Sequence, residues 1–108
     1  MSQGVLAFQR RAARVLASDE PTELAALDAL ITDGCAEALQ IEIETRRLAR
    51  WREDLLRELD RPDGARAVVE IGERLGGLEE RLEDVQDAIG ALMRRRSRQR
   101  LSEFMSDR

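Results

Sequence analysis

The strongest constraint on the fold is an apolar repeat in the C-terminal half of the chain, with spacings that alternate between three and four residues. Its positions carry no polar exception and are occupied by Val68, Ile71, Leu75, Leu78, Leu82, Val85, Ile89 and Leu92. Apolar residues at the a and d positions of successive heptads are typical of a helix that packs lengthwise on another helix. The repeat, called the seam below, therefore predicts a long helix over residues 63–100.

A second helix is predicted over residues 21–60. The same three-and-four spacing runs along this segment, apolar at both ends and interrupted by small or polar residues in the middle. Pro21 suits a first helical turn, and the acids around it suit the positive end of a helix dipole. Pro62, flanked by Asp and Gly, ends one helix and allows the next to start.

A short connection between two long helices favours an antiparallel hairpin. With the turn near residues 60–64, Gly34 is expected opposite Leu92. A third apolar pattern, over residues 4–17, predicts a helix too short to be stable alone, which must dock at the open end of the hairpin or on a second chain.

The predicted fold class is therefore all-α. It is a long antiparallel helical hairpin of coiled-coil type plus a short N-terminal helix, forming a three-helix bundle or a dimeric helical bundle. Residues 1–108 are interpreted as one helical domain, with residues 101–108 as a disordered tail.

Composition excludes several classes of protein. All 18 basic residues are Arg, there is no His, and the net charge is −4. No apolar stretch is long enough for a membrane span, and the start lacks the pattern of a signal peptide. Cys35 is the single cysteine, so no internal disulfide can form. These features predict a cytoplasmic protein, and the exclusive use of Arg suggests a bacterial source with GC-rich codons.

The chain contains few of the side chains that usually carry out catalysis. Without His, Lys or Tyr, acid–base catalysis would fall to carboxylates, and nucleophilic attack to Cys35 or a hydroxyl group. Cys35 stands among small residues beside the apolar repeat of the second helix, where we expect a buried packing thiol. The acids interleave with Arg, as on a solvated helix face, and do not suggest a metal site. We predict no enzyme activity, no cofactor and no metal.

The segment IGERLGGLEERL places Gly72, Gly76 and Gly77 inside a helical pattern. A phosphate-binding loop needs a different glycine spacing, a Lys and a preceding strand. The seam crosses the glycines without losing phase, which predicts a continuous helix. Ala65, Val69, Gly72 and Gly76 then align on one flank as a glycine strip, which we interpret as a docking surface; a hinge is the alternative.

Two further features are candidate interaction sites. Trp51 lies beside the repeat of the second helix, where it could complete the core, the interpretation we favour, or anchor a partner. A cluster of arginines near the C-terminus could bind phosphate or be neutralised by Asp28 and Asp33 across the hairpin. This basic run comprises Arg94, Arg95, Arg96, Arg98 and Arg100.

The functional hypothesis is a non-enzymatic helical module for protein–protein interaction, such as an adaptor, a small chaperone-like partner or an assembly subunit. Its expected partner is a second copy of the chain or another helical protein. The alternative is a small dimeric regulator that binds nucleic acid by contacting phosphates through the basic run. No aromatic residue interleaves with these arginines, and the middle of the chain is acidic, which favours the first hypothesis.

Overall fold

A computed structural model describes residues 3–58 and 62–106 of the chain. It contains α1 (Gln3–Ala17), α2 (Leu24–Leu56) and α3 (Pro62–Ser106), with no strand in the described residues. Helices α2 and α3 pack closely as a helical hairpin, accompanied by the short α1. The predicted all-α class and the hairpin with a short N-terminal helix are confirmed.

Helix α2 is shorter than predicted at both ends. At its start, the amide of Thr22 donates to Oε1 of Gln99 at 3.2 Å, and Nε2 of Gln99 donates back to the carbonyl of Thr22. This pair fixes the backbone of Thr22 outside the helix. At its end, the amide of Glu58 donates to the carbonyl of Leu55 at 3.0 Å, a bond that tightens the chain into a final turn. Leu59, the last apolar position in the predicted repeat of the second helix, lies outside the described residues.

Helix α3 is longer than predicted. It begins at Pro62, where a residue without an amide hydrogen is tolerated, and it runs to Ser106. The stretch after Arg100 contains neither Gly nor Pro and includes Leu, Glu and Met, which are good helix formers. The expectation of a disordered tail is therefore wrong for residues 101–106.

The contacts divide the chain into two compact units, and the single-domain organisation stays a prediction. Unit 1 comprises Met1–Ala38 and Asp84–Arg108. Its described part holds all of α1, the first half of α2 and the second half of α3, packed as three helices. The buried apolar residues of this unit are Val5, Phe8, Ala12, Leu27, Leu30, Ile31, Val85, Ile89 and Leu92.

Helix α1 is held in unit 1 by Phe8, whose side chain is only 1% exposed. A Cβ atom placed on Gly34 would lie 2.5 Å from Cζ of Phe8 and 2.9 Å from Cγ1 of Ile89. The absence of a side chain at Gly34 thus leaves the room that the Phe8 ring fills. The residue of α3 nearest to this position is Ile89, about one helical turn before the predicted Leu92.

Unit 2 comprises Leu39–Glu83 and contains only α2 and α3 among its described residues. Its buried apolar residues follow the seam and the matching repeat of α2, and are Ile41, Leu48, Ile71, Leu75 and Leu78. Large apolar side chains off these repeats stay exposed, namely Leu39, Ile43, Trp51, Leu56 and Val69. Two helices can bury only the stripe along which they meet, so the flanks of this unit remain open.

Glycines in the two units should respond differently to replacement by alanine. Gly76 is helical, and a Cβ there would meet nothing within 4 Å, so Gly76→Ala is expected to raise the free energy of unfolding by about 1 kcal/mol. Gly34→Ala gains the same helix propensity but overpacks against Phe8 and Ile89, with a cost of about 1–3 kcal/mol. Urea unfolding of both variants measures this difference. A stability gain of equal size at the two positions would contradict the close packing at Gly34.

Candidate interaction surfaces

The basic run is partly neutralised within unit 1. Nη1 of Arg96 donates to Oδ1 of Asp28 at 2.9 Å, and Nη2 of Arg100 lies 3.9 Å from Oδ2 of the same carboxylate. Nη2 of Arg95 donates to the backbone carbonyl of Glu20 at 2.7 Å. Three of the five arginines of the basic run therefore hold the segment before α2 and the start of that helix.

The predicted role of Asp33 as a second partner of the basic run is wrong. Its Oδ2 atom accepts from Nη1 of Arg11 in α1 at 2.9 Å. Asp33 therefore helps to orient α1 on α2. The sequence did not reveal this pairing, because it did not give the position of α1 along the hairpin.

Two members of the basic run make neither an ion pair nor a hydrogen bond with a described residue. Arg94 and Arg98 are exposed on α3. Phosphate contacts draw most of their binding energy from such free cations. The surface available to a polyanion is thus reduced to two arginines, with Arg100 weakly engaged beside them.

The end of α3 forms an exposed apolar cluster that was not predicted. Leu101 is 62% exposed, and Phe104 and Met105 are exposed to a similar extent. These residues recur at spacings of three and four, so they share one face of the helix. That spacing is present in the sequence, but the prediction of a disordered tail assigned no helix face to these residues.

Trp51 lies on the surface of unit 2, with 52% of its side chain exposed. The favoured interpretation of core packing is wrong, because Leu48 fills the adjoining core position and no helix of the described residues covers the flank. A cavity of about 210 Å³ opens beside the ring, lined by Glu44, Arg47, Leu48, Trp51 and Arg74. Trp51 is therefore one wall of a small groove on unit 2.

The charges around this groove are unevenly satisfied. Nη2 of Arg74 donates to Oε1 of Glu44 at 3.3 Å, so these two residues pair across α2 and α3. Arg47 is exposed and makes no ion pair with the described residues. The groove thus combines an apolar floor, an aromatic wall and the positive charge of Arg47, which has no ion-pair partner among the described residues.

The glycine strip is helical and open. A Cβ at Gly72 or Gly76 would meet nothing within 4 Å, and Val69 is exposed beside them. Neither glycine has a positive φ angle, so no turn or backbone distortion accounts for them. The predicted continuous helix is confirmed, whereas docking on the strip stays a prediction.

The predicted burial of Cys35 is wrong, because its side chain is exposed. It follows Gly34, and one residue along a helix turns the side chain by about 100°. Among residues 3–58 and 62–106, no three His, Cys, Asp or Glu side chains are grouped so that they could hold a metal ion. In the same residues, none of the helices combines the length and the apolar character that crossing a membrane requires.

Comparisons with known proteins bring no further assignment. No protein-family model matches the chain, and no curated protein or solved structure is significantly similar to it.

Proposed function

We propose that this protein is a non-enzymatic helical module that works by binding other proteins through its exposed apolar side chains. One observation carries the proposal. The chain has three aromatic residues, and only Phe8 is buried, whereas Trp51 and Phe104 are each more than half exposed. Aromatic side chains contribute most to the free energy of folding or binding when they are buried, and they are enriched at protein–protein interfaces.

Further apolar exposure in unit 2 supports the same proposal. Leu39 and Ile43 lie one helical turn apart on α2 and are both about half exposed. Contiguous exposed apolar groups on a small protein mark interaction sites more often than isolated ones do. A partner helix, from a second copy or from another helical protein, would cover side chains that two helices leave open.

Nucleic-acid binding is the second candidate, with weaker support. Its basis was the basic run, of which Arg95 and Arg96 are held by hydrogen bonds within unit 1. The chain carries a net charge of −4, which disfavours approach to a polyanion. Arg94 and Arg98, which have no ion pair or hydrogen bond among the described residues, have no aromatic residue between them for stacking and make a poor phosphate-binding surface.

Capture from the native lysate tests the proposal. We expect the purified protein either to show a mass above the 12.2 kDa of one chain in light scattering or to retain a stoichiometric partner. Trp51→Ser and Leu101→Asp change exposed side chains, so each should alter stability by less than about 1 kcal/mol. At least one of them should reduce assembly or capture about tenfold or more, as loss of an interface anchor does.

Matched controls separate the two functions. Arg50→Ala replaces another exposed residue of α2 and should leave capture unchanged. A protein that stays monomeric and retains nothing would contradict the proposal. Capture that disappears only after nuclease treatment, and in Arg94→Ala rather than Trp51→Ser, would favour the nucleic-acid alternative.

A further inference from the structure

The residues of α2 that contact α1 in unit 1 have counterparts two heptads later in unit 2. In unit 1, α1 pairs with Asp33 through an ion pair, covers Gly34 with its Phe8 ring, and approaches the Glu37 carboxylate at Gly4. Residues two heptads apart lie on the same side of a helix in a coiled-coil type pair. Asp33, Gly34 and Glu37 therefore define the side of α2 on which α1 docks. The residues two heptads later on the same side can be identified from the sequence.

The counterparts of these positions are Arg47, Leu48 and Trp51. All three line the cavity of about 210 Å³ in unit 2. Unit 2 thus carries the kind of surface that receives α1 in unit 1, but no helix occupies it among the described residues. This correspondence points to a helix as the occupant.

The size of the cavity agrees with that occupant. Pockets for drug-sized ligands measure about 300–1,000 Å³, so about 210 Å³ is small for such a molecule. A single large side chain entering between two helices, as Phe8 does at Gly34, needs less room. Leu48 would form the floor under that side chain, and Trp51 would lie against it.

The charges select the kind of helix. Asp33 receives the basic α1 through Arg11, but its counterpart Arg47 carries the opposite charge and has no ion pair with the described residues. Glu44 is already paired with Arg74. A helix that offers a carboxylate to Arg47 is therefore favoured, and the basic α1 of a second copy is disfavoured.

We infer that unit 2 binds an amphipathic helix of a partner protein, with one apolar side chain in the cavity beside Trp51 and an acidic residue paired with Arg47. This inference rests on the proposed function and names the chemistry of the partner. The groove in unit 2 would prefer an acidic helix, whereas the α2 surface at Asp33 in unit 1 binds the basic α1, although both lie on the same side of α2.

The inference can be tested with the intact protein, because Trp51 is its only tryptophan. The probe is a synthetic peptide of residues 3–17 in which Arg10→Glu, Arg11→Glu and Arg14→Glu make the helix acidic. The unmodified peptide is the comparison, and both share the same apolar residues. We expect the acidic peptide to shift Trp51 emission to shorter wavelength with saturation, and to bind at least about tenfold more tightly than the unmodified one.

Charge reversal in the groove provides the control. Arg47→Glu should invert the preference between the two peptides, whereas Arg50→Glu, the same change at a nearby exposed position, should leave it as in the wild type. Stronger binding of the unmodified peptide would overturn the inference and identify α1 of a second copy as the occupant. The absence of a response to either peptide would also overturn the inference. In that case the proposed function would still stand if the wild-type protein captured a partner and Leu101→Asp lost it.

Discussion

Replacing Leu78 with aspartate is expected to unfold the protein or to lower its free energy of unfolding by at least about 4 kcal/mol. Leu78 is 7% exposed and lies in the buried seam of unit 2. The change removes about 2–3 kcal/mol of apolar burial and places a charged carboxylate at a buried position of the seam. Thermal and urea unfolding, followed by circular dichroism, measure the loss.

The matched control is the same substitution on the exposed end of the same helix. Leu101 is 62% exposed, so Leu101→Asp should change stability by no more than about 0.5 kcal/mol. Equal melting temperatures for Leu78→Asp and the wild type would show that the seam of unit 2 is not a packed core.

Replacing Phe8 with alanine is expected to detach α1 from unit 1. The ring is 1% exposed and occupies the space above Gly34, so its removal leaves a large cavity and should cost about 3–5 kcal/mol. A helix of this length is marginal by itself, and its amides should therefore exchange with solvent much faster once the anchor is lost. Hydrogen exchange of residues 3–17 measures the effect directly.

Leu6→Ala serves as the control, since Leu6 lies on the same helix and is 36% exposed. It should destabilise the protein by about 1 kcal/mol or less and preserve the slow exchange of α1. If Phe8→Ala left the exchange of α1 as slow as in the wild type, α1 would have to be held by something other than the Phe8 contact.

The helices and the seam could be predicted because they depend on local repeats. Ile71, Leu75 and Val85 are buried because they lie on the face that meets the other helix, and the spacing of apolar residues predicts that face. The continuous helix across Gly76 was predicted because the apolar repeat of the seam keeps the same spacing on both sides of this residue. Helix ends were less accurate, because the hydrogen bonds of Thr22 with Gln99 join residues far apart in sequence.

The candidate site could not be predicted to the same extent. Whether Trp51 is buried depends on how far α1 extends along α2. Among the contacts of the described residues cited for α1, the one nearest to Trp51 in sequence is at Glu37. The partner of Asp33 depends on the same placement. The predicted burial of Cys35 was wrong because a position next to the apolar repeat of α2 does not determine which way the side chain faces.

Hydrogen exchange of the backbone amides in residues 44–55 tests the central claim most directly, namely that the groove at Trp51 receives a partner helix. Added at saturating concentration, the acidic variant of the α1 peptide is expected to slow exchange in this segment of the wild-type protein and to have little effect in Arg47→Glu. Helix docking suppresses local opening, which is the step that exchange reports. Unchanged exchange in residues 44–55, or slowing confined to other parts of the chain, would contradict the account.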